Sequence, residues 1–170
     1  LRNPKCYTEK LQWYKLYYRN PPMTQCVDKY AVRAYIMSKG LGDCLTTLYG
    51  QYHNVRDIDF DQLPNSFIIM TTNGSGTNIF CFDKTHLDIE ATKQQLSEYI
   101  NRPQISAGRE WAYYDVPNRI VIEELLKDGD NPFGGINDYK IVCFGGKVSC
   151  IIVDVGRFTN HQRNFYDRDW

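Results

Sequence analysis

The chain has 170 residues, with 20 Lys and Arg against 20 Asp and Glu, so it carries no net charge. That length fits one compact domain, or one domain with part of another, and 42% hydrophobic residues suffice for a real core. The balanced charge offers no bulk attraction to nucleic acid or to an anionic membrane, and no apolar run approaches spanning length.

Thr8 is placed to cap a first helix running to about Tyr18, which Asn20-Pro21-Pro22 then breaks. Thr24 opens a predicted second helix over 24–40. Val27, Tyr30, Ala31, Ala34 and Tyr35 recur in it at helical spacing, and Gly40 supplies the stop. A loosely alternating strand is expected over 45–52, then an acidic connector over 57–61. Phe67 to Met70 and Asn78 to Phe82 read as two strands around a polar loop. Asp88 caps a third helix that carries Ile89, Leu96 and Ile100 on one face. Residues 102–118 read as irregular and aromatic, 119–126 as a buried strand ending in acids, and 127–137 as a loop. Two strands, 138–144 and 147–155, follow, joined by the tight turn Gly145-Gly146. No period is visible in 156–170.

The loop Thr71-Thr72-Asn73-Gly74-Ser75-Gly76-Thr77 has the composition that lets a backbone bend and turn several N–H groups toward one point. Such a concavity suits phosphate. It is no P-loop, because no Gly-Lys-Ser/Thr follows, and a plain hairpin turn would need the same residues. Asp28, Lys29 and Arg33 share one helix side, as they would on a solvated, ion-paired face. His53 and His86 are isolated in sequence, and no Ser-His-Asp or Cys-His arrangement stands out. His161 lies near Arg157 and Arg163, a cluster able to meet an anionic group such as a uronic acid or an acyl phosphate. The six cysteines show neither Cys-x-x-Cys nor zinc spacing. Cys81, Cys143 and Cys150 fall in expected strands and read as free buried thiols, which points to a reducing, cytoplasmic setting.

Several motifs then occur in a fixed order. They are Asp28-Lys29-x-x-x-Arg33, Gly40-Leu41-Gly42, LPNSFII with its Gly-Ser-Gly loop, Ile122-Glu123-Glu124-Leu125-Leu126, and DYKIVCFGGK from Asp138. With PKCYTEKLQWYKL near the start and RFTNHQRNFYDRDW at the end, the chain resembles the ATP-grasp superfamily. Within it, it closely resembles the TupA-like group found with teichuronopeptide and other surface-polysaccharide genes.

The resemblance implies an α+β fold of antiparallel sheets with flanking helices that close on ATP. It implies an N-terminal helical segment over 1–23, the small lid subdomain over 24–122, and the start of the large subdomain over 123–170. Lys29 matches a phosphate-binding lysine, and Asn73, Gly74, Ser75 and Gly76 match the flap over the phosphates. Glu123, Glu124 and Leu126 match the adenine hinge, Asp138 the ribose acid, and Lys140 the DYK motif. These groups are expected to converge on one cleft. Met70 stands where relatives carry a lysine, with Lys84, Lys29 or Arg33 as substitutes for the lost charge. The magnesium ligands of the superfamily are expected beyond Trp170, so the C-terminal part of the fold is expected to lie outside this sequence. Asp154 is the only strand acid near the end.

The expected activity is ATP- and Mg²⁺-dependent carboxylate activation to an acyl phosphate, then amide formation, with Lys29 and Arg157 as candidate catalytic residues. The expected partners are a nucleotide, a saccharide, uronic-acid or amino-acid acceptor, and a biosynthetic complex. A glycosyltransferase of capsular or exopolysaccharide synthesis is the alternative, with Asp57-x-Asp59-x-Asp61 or Asp128-x-Asp130 at metal-motif spacing. A non-catalytic nucleotide-binding relative is another, motivated by Met70.

Overall fold

The helix expected over 24–40 is two helices, because Asp28 interrupts it. The computed structural model describes residues 2–72, 74–102, 108–127, 136–156 and 160–170. In it α1 spans Tyr7–Tyr17, α2 Pro22–Val27 and α3 Ala31–Ser38. Asp28 turns extended, with ψ at 112°, and its Oδ1 accepts from the backbone N–H groups of Tyr30 and Ala31 at 2.9 and 3.1 Å. A short carboxylate that satisfies the first donors of the next turn competes with helix continuation. Lys29 falls in the break. Cys6, not Thr8, stands at the cap of α1, where Glu9 Oε2 accepts from the N–H groups of Lys5 and Cys6 at 2.8 and 3.3 Å.

The chain divides into two units, Leu1–Leu125 and Leu126–Trp170. The first contains β1 (Leu48–Tyr52), β2 (Phe67–Thr71), β3 (Ile79–Cys81), α4 (Ile89–Ile100) and β4 (Ile120–Glu124). The strands form one antiparallel sheet in the order β1-β4-β2-β3. Period-two alternation sends Phe67, Ile69, Ile120 and Ile122 to one face, where each is fully buried. Leu96 of α4 joins them in the core, with Val55, Ile58, Phe60 and Leu63 from the connector. Asp88 caps α4 as expected, its Oδ1 accepting from the Ala91 N–H at 2.9 Å. Ile68, Met70 and Glu123 alternate to the opposite face.

The second unit is a three-stranded antiparallel sheet, β5 (Asp138–Phe144), β6 (Lys147–Val155) and β7 (Gln162–Tyr166), in that order. Gly145 and Gly146 have φ of +56° and +76°, the positive values that a two-residue turn of this hand requires. β7 carries no readable pattern, because it is an edge strand with four of its five residues exposed. With neither face buried, no alternation is imposed on it. Cys81 is buried as expected, but Cys143 is exposed and Cys150 only half-buried; all six cysteines are free. The architecture is α+β with antiparallel sheets, as read from the sequence. Among the described residues no helix is long and apolar enough to cross a membrane.

Leu96 is the one α4 side chain wholly inside the first-unit core. Leu96→Ala should cost about 2–5 kcal/mol in urea unfolding, the range for a buried leucine truncated in a close-packed site. A cost under about 1 kcal/mol would show that α4 is not anchored through this residue.

Candidate functional site

The helix break exists beside the polar loop, and the two are joined by Lys29. Its Nζ donates to the carbonyl oxygens of Thr71 and Gly74 at 2.8 and 2.7 Å. An ammonium has three N–H groups, so one remains for a ligand. Burial pushes the Lys29 pKa down, while neighbouring Asp28 works the other way. Asp28 itself is 3% exposed and pairs with Arg119 Nη2 at 2.5 Å. Arg119 lies over the Tyr30 ring at 4.9 Å, and its Nε is buried without a hydrogen-bond partner. The loop base is closed by Thr71 and Thr77, whose hydroxyls meet at 2.8 Å in a buried contact. Thr72 Oγ1 donates to the Pro117 carbonyl at 2.6 Å. Beyond this polar base the loop is open. Gly76 has φ +74°, and a Cβ built on Gly74 or Gly76 would meet nothing within 4 Å. Ser75 is exposed. Asn73 lies outside the described residues.

Glu123 and Glu124, expected at the adenine hinge, sit at the other end of the same sheet. Thr71 pairs with Ile120, and Phe67 with Glu124, four residues further along β2. That is roughly 13 Å of strand. Glu123 accepts from Arg33 Nη1 at 2.8 Å and from Thr46 Oγ1 at 3.0 Å. Glu124 Oε2 accepts from the Thr47 N–H at 3.2 Å and from its hydroxyl at 2.9 Å. Both carboxylates thus tie β4 to the 46–47 segment. Met70 is half-buried on the face that Glu123 shares, while Ile69 and Thr71 are buried on the core side.

Two of the proposed stand-ins for a lysine at Met70 are committed elsewhere. Lys84 Nζ donates to the carbonyls of Phe60, Asp61 and Leu63 at 3.2, 3.0 and 2.5 Å. All three of its N–H groups hold the connector. Arg33 is bound to Glu123 and to the Thr46 carbonyl, the latter at 2.6 Å.

In the second unit, Leu126 is exposed and Asp138 pairs with Lys140. Arg157 lies outside the described residues. Asp154 is only 1% exposed and forms the centre of a charged network. Lys140 Nζ donates to its Oδ2 at 2.5 Å, and Arg163 donates from Nε to Oδ1 at 2.5 Å and from Nη2 to Oδ2 at 2.9 Å. His161 Nε2 contacts Oδ1 at 3.0 Å. The Arg163 hydrogen bonds, then those of Lys140 and His161, hold the Asp154 carboxyl far below the usual range. Asp138 first and Asp154 second raise the Lys140 pKa. Among the described residues no group of three His, Cys, Asp or Glu side chains could hold a metal ion. Sequence reasoning missed Arg119, Thr46 and Thr47, and it read Thr71 and Thr77 only as loop residues, not as the hydroxyl pair that closes the loop base. They are ordinary polar residues whose importance depends on cross-strand placement.

The family model described as TupA-like ATPgrasp matches residues 9–170, and the protein belongs to that family. No curated protein and no solved structure matches the chain.

Lys29→Met should leave the fold intact while raising backbone hydrogen exchange at 74–77, because the loop loses its tether. The depressed Lys29 pKa also has a pH signature. Between its lowered value and the ordinary value of 10.5, the unfolded chain binds more protons than the folded one, so stability attributable to Lys29 rises with pH. Denaturant curves across the alkaline range should show that rise in the wild type and lose it in Lys29→Met. Equal slopes would place the ammonium in solvent.

Proposed function

We propose that this chain provides nucleotide-holding elements of an ATP-dependent ligase-type enzyme acting in cell-surface polysaccharide synthesis. The observation that carries the reading is Lys29, an ammonium held at the loop mouth by two carbonyls with one N–H to spare. Triphosphate oxygens need cations and N–H donors placed in advance. Lys29 and the N–H groups of the open Gly74-Ser75-Gly76 segment supply both kinds of donor. The fit is helped by the half-partnered Arg119 guanidinium at the same end of the sheet.

Glu123 and Glu124 hold the strand end in place through Arg33, Thr46 and Thr47. Adenine would then be read by main-chain groups of the Glu123–Glu124 strand end. Bound there, ATP supplies its γ-phosphoryl group to a substrate carboxylate, giving an acyl phosphate and ADP, and an amine then displaces phosphate to form an amide. The protein acts by position and charge, with no covalent residue. The acceptor would be a saccharide, uronic acid or amino acid. Magnesium serves ATP-grasp enzymes generally. Asp154 has both oxygens engaged by Lys140, Arg163 and His161, so it does not fit as a ligand.

One observation favours a second reading, a nucleotide-binding relative without catalysis. Met70 lies on the face shared with Glu123, and neither Lys84 nor Arg33 replaces the missing charge.

Calorimetry with ATP tests the nucleotide site that both readings share. Met70→Lys should tighten ATP by about 1–2 kcal/mol, the worth of one charge-assisted phosphate contact. It should leave adenosine unchanged. An equal gain for adenosine would show that the new side chain does not meet phosphate, and no ATP binding in either protein would end the nucleotide reading.

A further inference from the structure

The Asp154 network has a geometry that its own hydrogen bonds do not exhaust. Asp138, Asp154 and Arg163 form one row across β5, β6 and β7, and so point to one face of the sheet. Lys140 is two residues from Asp138 on that same face. The central carboxylate is 1% exposed, whereas the side chains around it stay open: Arg163 is 47% exposed, His161 44% and Lys140 39%. The negative charge is therefore inside and the donors face outward. Arg163 spends Nε and one Nη2 hydrogen on Asp154, which leaves its Nη1 group and a second Nη2 hydrogen. Lys140 gives one hydrogen to Asp138 and one to Asp154, leaving one. A carboxylate only accepts, so His161 presents Nε2–H to it and turns its other ring nitrogen away.

We propose that Asp154 is a positioning residue that locks Lys140, Arg163 and His161 into one outward-facing cradle for an oxyanion, either a phosphoryl group or a substrate carboxylate. Arginine clasped at both carboxylate oxygens cannot rotate freely, so its remaining donors keep a fixed fork that matches planar or tetrahedral oxygens. The proposal rests on the ligase reading for its place in a reaction, but the binding itself stands on this network.

The test uses the full chain, with pyrophosphate as the phosphoryl probe and glucuronate as the carboxylate probe, read by calorimetry and by the ¹⁵N resonances of arginine side chains. One probe should bind and move the Arg163 Nη signals; which one does so names the source of the oxyanion. Asp154→Asn removes a negative charge, so a cluster acting through net charge alone would bind the probe more tightly. Positioning requires the opposite, a loss of about tenfold. Arg163→Lys, which keeps the charge but cannot clasp both oxygens, should lose affinity as well. Unchanged or tighter binding in Asp154→Asn overturns the proposal, as does a lower melting temperature with affinity intact. Should Asp154→Asn not fold, Arg163→Gln and Lys140→Gln decide, since both side chains are half-exposed; unchanged affinity in both overturns it. Adenosine, which has no oxyanion, reads the hinge separately. Adenosine binding with neither probe bound sinks the cradle and leaves the nucleotide reading standing. A bound probe without adenosine binding supports the cradle and counts against the hinge.

Discussion

The buried pair of Asp28 and Arg119 is the constraint on which the first unit's candidate site depends. Asp28 is nearly inaccessible, and a buried carboxylate without a cation costs several kcal/mol. Arg119, at the edge of β4, supplies that cation at 2.5 Å. The same aspartate caps α3 through Tyr30 and Ala31. One side chain thus ends a helix, starts the next and ties the junction to the sheet. Lys29 has no freedom to follow either helix. It is delivered to the loop, where the Thr71 and Gly74 carbonyls take it. Losing Asp28 would therefore disturb Lys29 without touching it, because the break that aims the lysine would go.

The cations of this unit divide into those that hold structure and those with capacity left. Lys84 is saturated by three carbonyls, and Arg33 is paired with Glu123 and held by the Thr46 carbonyl. Each makes the chain near it more rigid; Lys84 has no N–H left for an incoming anion, and the charge of Arg33 is offset by Glu123. Lys29 is different, since it is partly desolvated and incompletely satisfied. A desolvated ammonium gains more from an anion than one in bulk water, because the local dielectric is lower. The lowered pKa and the spare donor describe one arrangement, an ammonium drawn out of water and held by two carbonyls.

Much of this was legible in the chain, and the illegible parts have physical causes. Phe67–Thr71 and Ile120–Glu124 were readable because one face of each is buried, which imposes apolar residues at fixed spacing. Asp88 was readable because its cap is local, spanning three residues. Asp28 looked like part of a polar helix face, since the apolar period runs straight through it from Val27 to Ala31. Only its burial against Arg119, 91 residues away, decides for the break. β7 was silent because an exposed edge strand carries no pattern. Its importance lies in placing Arg163 beside Asp154, and that is a property of register.

The same contrast bears on why the Asp154 network is built as it is. Ion pairs out of water are a weak source of stability, since the cost of desolvating the charges is comparable with their attraction. Well-packed apolar residues at Asp154 and its neighbours would hold three antiparallel strands at least as well. The arrangement also does not neutralise itself by burying every charge. Only the acid at the centre is hidden, while its basic partners keep roughly half of each side chain in solvent. A network meant only to cement the sheet would gain from covering those partners as well, because their remaining hydration works against tight pairing. What this geometry secures is orientation: a buried fixed point from which exposed donors project at set angles. Stability is the weaker account of it, and a prepared oxyanion cradle the stronger one.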